Sequence, residues 1–277
     1  YNKTLSEKRV SATKNALIKL GSEGVTKNGH SVIFQLQIGN LKIMLGGDLN
    51  TESQDYLLQQ YCGLEESVMS LETRLHKLHA KGIKLTPKEK QELAELESEL
   101  QAIVVKARKY FQVDVTKACH HGSHHFSETF LKVLNAIVSV VSSGDNESYS
   151  HPRPDALGAY GKYGRGFRPL IFSTELARSV TGFEHLFEYK ELLNKYQQKI
   201  KTASSEDRKE LWKKSMELRI DKSVVVYGMI TLRTDGDKVV LAQKLEAPSG
   251  EDKKWDIHEL EYNKHTDEFQ YKSRAGH

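Results

Sequence analysis

Long hydrophobic runs are missing from this 277-residue sequence. A helix that spans a bilayer needs about 20 consecutive apolar residues, and no stretch of the chain approaches that length. A signal peptide, with its apolar centre and small-residue cleavage site, is not visible either. These two absences predict a soluble, cytoplasmic protein that has no membrane partner.

Cysteine and surplus charge are scarce as well. Cys62 and Cys119 are the only cysteines and lie far apart, which favours a reducing compartment over a disulfide scaffold. The 41 basic and 37 acidic residues leave a net charge of +4, too small to indicate nucleic-acid binding by itself. A hydrophobic content of 38% with a mean hydropathy of −0.57 favours exposed helices over disorder. The length allows one large domain or two smaller ones.

Histidine is what the chain concentrates. Four of its twelve histidines fall within six residues, in the stretch 114–127 that reads DVTKACHHGSHHFS. The stretch begins as an apolar-leaning strand and ends where Ser127 is suited to cap a helix. Because α/β folds place their chemistry in the loops after strand ends, this stretch is the first candidate for a functional site.

The segment 1–51 predicts a helix followed by a β-hairpin. The helix falls within the first 20 residues, and strands at 32–38 and 41–45 flank a tight glycine-containing turn. The second strand ends at Asp48, after two glycines that let the backbone approach a ligand closely. This segment is therefore assigned to the main α/β fold.

The segment 52–111 has a helical period instead. Apolar residues recur at spacings of three and four in two runs, and Thr86 and Pro87 mark the start of the second helix. The pattern predicts an antiparallel helical hairpin with a coiled-coil seam, inserted into the main fold. Whether it is a solvated spacer or an arm that joins a homo-oligomer or hetero-complex is left open by the sequence.

After the insertion the main fold resumes over 112–182. A loop and then a glycine-rich segment up to Gly166 are predicted between its last two strands. An extension follows, with a helical stretch over 183–222 and β-strands over 223–277. Within the extension, the run Thr234-Asp235-Gly236-Asp237 predicts a hairpin turn.

Three predicted strand ends carry metal-binding side chains: Asp48, the pair His120 and His121, and His151. Carboxylate and imidazole together suit Zn²⁺, Mn²⁺ or Fe, and a carboxylate can bridge two ions. A strand–helix unit separates successive motifs, which makes the combination far more informative than any one of them.

The order of the motifs resembles a known family. Four motifs carry the resemblance: Asn28-x-x-Ser31, Gly-Gly-Asp48-Leu, Asp114-Val-x-Lys-x-x-His120-His121-Gly-Ser, and Ser-x-Gly-x-Asn146 with His151-Pro. They are similar to the C-terminal half of metallo-β-lactamase-fold hydrolases, nearest to the ComEC-type branch. The resemblance implies an α/β fold: a partial metallo-β-lactamase αββα sandwich with an inserted antiparallel helical hairpin and a C-terminal helical and β extension.

The resemblance also implies a metal centre. Asp48 would bridge two divalent metal ions, Zn or Mn, and His120 and His121 would complete the shell. Asn28 stands where many relatives have a further metal-binding histidine, and His30 is a possible substitute for it. Asn28 is accordingly counted among the catalytic residues.

The same resemblance places the substrate beside this centre. His151 and Ser123 would be catalytic, by positioning a phosphate or donating a proton. Three basic residues follow on the next loop: Arg153, Lys162 and Arg165. They are assigned to the backbone of a phosphodiester substrate, and solvated surface charge is the alternative for each.

The implied activity is metal-dependent hydrolysis, with DNA or another nucleic acid as substrate and a defence or DNA-processing complex as the setting. Hydrolysis of another ester, a thioester or a lactam is a further possibility, and a catalytically inactive scaffold subunit, assembled through its helical hairpins, is the alternative. Family members open with a His-x-His-x-Asp-His loop that this sequence lacks. The remaining ligands are therefore expected from preceding residues outside this chain, or from another chain.

Overall fold

A computed structural model describes residues 19–144, 151–174, 194–196, 198–206, 208–210, 228–245 and 254–275. The helix predicted within the first 20 residues and most of the helical stretch predicted from 183 lie outside the described residues. Within the described parts of the chain, no helix is both long and apolar enough to cross a bilayer.

The first sheet has five strands in chain order. The predicted hairpin is confirmed: β1 and β2 pair antiparallel around Gly39, whose φ of 59° suits a tight turn. The next three strands continue the sheet, each parallel to the one before it. The strands are β1 (Phe34–Ile38), β2 (Leu41–Leu45), β3 (Val115–Lys117), β4 (Val138–Val141) and β5 (Leu170–Ser173).

Six helices accompany this sheet in the described part of the chain before residue 175. They are α1 (Glu23–Gly29), α2 (Thr51–Cys62), α3 (Val68–Lys81), α4 (Pro87–Phe111), α5 (Glu128–Leu134) and α6 (Pro154–Tyr163). Short 3₁₀ turns lie at Gly82–Lys84 and Cys119–Gly122. The predicted start of the second hairpin helix is confirmed, because Thr86 and Glu89 form a capping box around Pro87.

The insertion packs into the main core instead of standing apart from it. Leu71 of α3 and Ile103 of α4 are buried in the same apolar cluster as Met44 of β2 and Phe130 of α5. The insertion also holds one helix more than the predicted hairpin, since α2 precedes the pair α3 and α4. The inserted helices therefore form much of the layer that covers one face of the sheet.

Helix α6 occupies most of the predicted glycine-rich segment up to Gly166, where no helix was predicted. Pro154 opens the helix at its first turn, and Ala156, Ala159 and Tyr160 are buried along one side. Burial of this side offsets the low helix propensity of the glycines.

A second sheet covers the other face. Its four strands, β6 (Ile230–Thr234), β7 (Lys238–Lys244), β8 (Trp255–Asn263) and β9 (Glu268–Ala275), are antiparallel and in chain order. The predicted turn between β6 and β7 is confirmed: the Asp235 carboxylate accepts hydrogen bonds from the backbone N–H groups of Asp237 and Lys238.

The two sheets share an apolar core. Leu41, Val138 and Phe172 of the first sheet lie in one cluster with Leu241 and Phe269 of the second. The described chain is thus an α/β protein of three layers: helices, a mixed sheet and an antiparallel sheet.

Part of the first sheet lacks this cover. On the face turned to the second sheet, Phe34 is 56% exposed and Leu36 44%, both on β1, and Leu45 at the end of β2 is 38% exposed. Within the described residues, no strand pairs with the outer edge of β1. An apolar face of this kind is typical of a surface that another segment or chain covers.

Candidate functional site

The parallel strands β2, β3 and β4 end at the same edge of the sheet, and their loops surround a cavity of about 540 Å³. All predicted metal and catalytic residues line it: Asn28, Asp48, His120, His121, Ser123 and His151. Arg153, predicted to bind substrate, lines it too. Chain positions that span more than 120 residues are thereby brought into one site.

The backbone of the histidine loop is unusual. His120, His121 and Gly122 follow one another with φ values of 50°, 55° and 76°, the left-handed region that favours glycine. Each side-chain-bearing residue in that region costs about 1–3 kcal/mol and persists only where its surroundings hold it. The turn places two consecutive imidazoles in one cavity, which a regular helix or strand does not do.

Hydrogen bonds from neighbouring loops hold this turn. The His120 N–H donates to the Gly47 carbonyl at 3.0 Å, and the Cys119 N–H donates to the Tyr160 hydroxyl at 3.1 Å. The Arg153 N–H donates to the Gly122 carbonyl at 2.8 Å. The strained turn is therefore tied to the Asp48 loop on one side and to α6 on the other.

Asp48 is placed by its own short loop. Gly47 has a φ of 57°, and a Cβ there would lie 2.8 Å from the Ser31 Cβ, so a side chain does not fit. The Ser31 hydroxyl accepts a hydrogen bond from the Asp48 N–H at 2.9 Å. Ser31, part of the first motif but without an assigned role, is thus a support for the carboxylate.

His121 and Asp48 face each other across the cavity at a short distance. The His121 Nδ1 lies 2.7 Å from the Ser142 carbonyl oxygen, which only accepts, so Nδ1 carries a proton. The His121 Nε2 lies 3.4 Å from the Asp48 Oδ1. In the neutral ring, Nε2 presents a lone pair to a carboxylate oxygen, and either a second proton or a metal ion resolves that repulsion.

One ring nitrogen of His120 has a hydrogen-bond partner, and the other has none within the described residues. Its Nε2 lies 3.2 Å from the Asn28 amide nitrogen, which donates to it. Its Nδ1 is buried and has no hydrogen-bond partner within the described chain. Burial lowers the pKa of His120, with the nearby Asp48 opposing and His151 adding to the effect, so the ring is neutral at pH 7. Because Nε2 accepts from Asn28, the proton of this half-buried ring is on Nδ1, an N–H donor that lacks an acceptor among the described residues.

Three more imidazoles surround these two. The His151 ring centroid lies 5.7 Å from that of His120, and the His125 ring stacks parallel to His120 at 6.1 Å. The His124 ring lies tilted against His125, with 4.0 Å between their centroids. The Ser123 hydroxyl accepts a hydrogen bond from the His125 N–H at 3.3 Å. No role was assigned to His124 or His125 from the sequence, although their place in the same cluster was a usable signal.

Two of the predicted substrate-binding residues lie elsewhere. Lys162 is exposed near the end of α6, with its ammonium 5.0 Å from the centroid of the Tyr163 ring. Arg165 forms an ion pair with Asp114 at the opposite end of the sheet, where both side chains are 10% exposed. Helix α6 starts at the cavity, and its ten residues carry the chain about 15 Å away from it. Neither residue lines the cavity.

Two other residues named from the motifs do not join the site. His30 lines a smaller groove beside Tyr56 and not the main cavity. Asn146 lies outside the described residues.

The residues present fit part of a metal shell. Asp48 and His121 supply the oxygen and nitrogen donors that Zn²⁺ and Mn²⁺ accept. His120 would join them through Nε2, in place of its hydrogen bond from Asn28. Within the described residues, however, no three side chains of histidine, cysteine, aspartate or glutamate are already arranged to hold an ion. The described residues therefore supply only an incomplete set of metal donors.

Cys119, next to His120, is not suited to be a nucleophile. It is buried against Gly46, and burial raises the pKa of its thiol to about 12. Burial also raises the pKa of the Cys62 thiol, with Lys106 and Lys109 opposing.

We expect that neither cysteine of the native protein reacts with a disulfide reagent at mildly alkaline pH, and that both react in denaturant. Fast labelling of the native protein would contradict the burial of both thiols.

Comparisons with known proteins add no further constraint: no family model, no curated protein and no solved structure matches this chain.

Proposed function

We propose that this chain is a metal-dependent hydrolase of the metallo-β-lactamase type that cleaves phosphodiesters in DNA or another nucleic acid. One observation carries the proposal: the Nε2 of His121 faces the Asp48 carboxylate while its Nδ1 proton is committed to the Ser142 carbonyl. A backbone carbonyl that fixes the tautomer of a ligand histidine is a common outer-sphere feature of metal sites.

Asp48, His121 and His120 would hold the metal. When bound, a pair of Zn or Mn ions supplies a water of near-neutral pKa and neutralises charge that develops on a phosphoryl oxygen. Asn28 donates a hydrogen bond to His120 Nε2, and that hydrogen bond would give way where His120 binds an ion. The left-handed turn keeps His120 and His121 at adjacent positions on the cavity wall.

The rest of the cavity suits an anionic substrate. Among the described residues, Arg153 and five histidines line it with one carboxylate, that of Asp48. Arg153 is exposed at the rim, where a guanidinium can pair with two phosphate oxygens. His151 lies beyond His120 and is placed to hold or deliver a proton at a leaving oxygen.

The uncovered face of the first sheet supports the fold proposal. Phe34, Leu36 and Leu45 lie on the side where a fuller sandwich would add strands, and Leu45 is three residues before Asp48. A segment that covers this face is well placed to supply the missing metal ligands, whichever chain it belongs to.

An inactive scaffold subunit is the second candidate, and exposed apolar residues on the insertion favour it. Ile83, between α3 and α4, is fully exposed, and Val105 of α4 is 63% exposed. Such side chains suit a homo-oligomer or hetero-complex held through the helices, a role that needs no metal.

Hydrolysis assays separate these candidates. We expect the full-length protein, supplied with Mn²⁺ or Zn²⁺, to cleave single-stranded DNA, duplex DNA, RNA or bis-(p-nitrophenyl) phosphate, and a chelator to abolish this activity. Cleavage of a carboxylic ester, thioester or lactam alone would keep the hydrolase but overturn the choice of substrate. No hydrolysis with any metal would favour the scaffold.

A further inference from the structure

Two buried polar side chains of the inserted helices reach the loops that carry the site. Gln54 on α2 is 1% exposed and Glu72 on α3 is 7% exposed. Polar groups at such depth cost free energy unless hydrogen bonds satisfy them. Their partners therefore show what the insertion holds in place.

Gln54 joins the two loops through one amide group. Its Oε1 accepts a hydrogen bond from the Ser127 N–H at 2.7 Å, and its Nε2 donates to the Leu49 carbonyl at 3.2 Å. Leu49 directly follows Asp48, and Ser127 ends the loop that begins with the histidine pair. A single planar side chain thus spans the distance between the two halves of the proposed metal centre.

Glu72 fixes the far end of the histidine loop. Its Oε1 accepts hydrogen bonds from the Thr129 N–H at 2.6 Å and from the Ser127 hydroxyl at 2.9 Å. That hydroxyl in turn accepts from the Phe130 N–H at 3.1 Å and caps α5. Hydrogen bonds to a buried carboxylate are among the stronger ones in proteins.

We propose that Gln54 and Glu72 are positioning residues: they set the separation between the Asp48 loop and the histidine loop, so the inserted helices are a working part of the metal centre. The inference rests on the proposed function. In this proposal the insertion positions the metal centre, a role different from that of a spacer or of an arm for assembly.

Metal binding and the hydrogen bonds of Gln54 and Glu72 must strengthen each other. If the amide and the carboxylate favour the metal-binding geometry, bound metal favours their hydrogen bonds by the same factor. The N–H groups of Ser127 and Thr129, which donate to Gln54 and Glu72, are therefore expected to exchange with solvent more slowly when the metal is bound.

The test compares Mn²⁺ affinity in four proteins. Gln54→Met keeps the size of the side chain but removes both hydrogen bonds, and we expect it to weaken Mn²⁺ binding by about 10–100-fold, as the loss of outer-sphere partners does. Glu72→Gln keeps a side-chain oxygen that can accept the same hydrogen bonds. We therefore expect its Mn²⁺ affinity to stay within about 3-fold of that of the wild type.

Arg108→Met provides the matched control. Arg108, on α4, also joins the insertion to α5, but it donates to the Lys132 carbonyl at the end of α5 far from the site. It is expected to lower the denaturation midpoint and to leave Mn²⁺ affinity unchanged.

Each outcome has a separate meaning. Equal Mn²⁺ affinity in Gln54→Met and wild type, or unchanged exchange of the Ser127 amide on metal binding, overturns the positioning role alone. If Arg108→Met loses as much Mn²⁺ affinity as Gln54→Met, the positioning role is also overturned, because the loss of affinity then reflects a general loss of stability. A wild-type protein that binds no Mn²⁺ or Zn²⁺ overturns the proposed function, and the positioning role with it.

Discussion

Asp48→Asn is expected to lower phosphodiester hydrolysis by more than about 100-fold, the upper end of what loss of an outer-sphere partner costs a metal site. The substitution changes the size of the side chain very little, but it removes the negative charge that faces His121 Nε2 at 3.4 Å. Without that charge, we expect the donor set at the end of β2 to lose its attraction for a divalent cation.

The fold should survive this change. Asp48 is 37% exposed, and its backbone N–H, which donates to the Ser31 hydroxyl, is unaffected. Hydrolysis rates and denaturation midpoints measured side by side would show whether activity falls while stability does not. Lys162→Ala, a change in a predicted substrate residue that does not line the cavity, is the control and is expected to keep wild-type activity. Full activity in Asp48→Asn would contradict the assignment of this carboxylate.

Asp114→Ala is expected to lower the free energy of unfolding by about 3–5 kcal/mol, the range found when one partner of a buried ion pair is removed. Asp114 pairs with Arg165, and its Oδ2 also accepts a hydrogen bond from the Lys42 N–H at 2.8 Å. The variant leaves a largely buried guanidinium with only the more distant Glu268 carboxylate, at 4.0 Å, and leaves a backbone donor without its acceptor.

A double variant makes this prediction specific. Arg165→Met in the Asp114→Ala background removes the unpaired charge, so the double variant is expected to be more stable than Asp114→Ala alone. Urea unfolding measures both differences, with Lys162→Ala again as the control. Additive losses in the double variant would show that the two side chains do not interact. Because the pair lies at the end of the sheet away from the cavity, Mn²⁺ affinity of the folded fraction should be unchanged.

Local signals in the sequence were sufficient for much of the fold. The hairpin turns at Gly39 and Gly236 and the helix start at Thr86 are confirmed, because a turn or a cap depends on only a few neighbouring residues. Helix α6 was missed because its glycines outweigh its short apolar side in any local pattern. Only burial of Ala156 and Tyr160 against the core makes that segment helical.

The site shows the same division between local and distant causes. Asp48, His120, His121 and His151 were found from residue type and from their positions after strands, and the structure brings them to one cavity. The contacts of Gln54 and Glu72 with the end of the histidine loop were not visible, because Ser127 lies 73 residues from Gln54, and Ser127 and Thr129 lie 55 and 57 residues from Glu72. Arg165 was assigned to the substrate because its loop follows His151, yet α6 carries it to the other end of the sheet.

Metal content shows most directly whether Asp48 and His121 belong to a metal centre. The full-length protein would be reconstituted with Mn²⁺ or Zn²⁺, dialysed and subjected to elemental analysis beside Asp48→Asn and His121→Ala. We expect stoichiometric metal in the wild type and its loss in both variants, because each variant removes one member of the pair Asp48 and His121. Wild-type protein without metal after reconstitution would contradict the account and leave a scaffold whose histidine cavity serves another purpose.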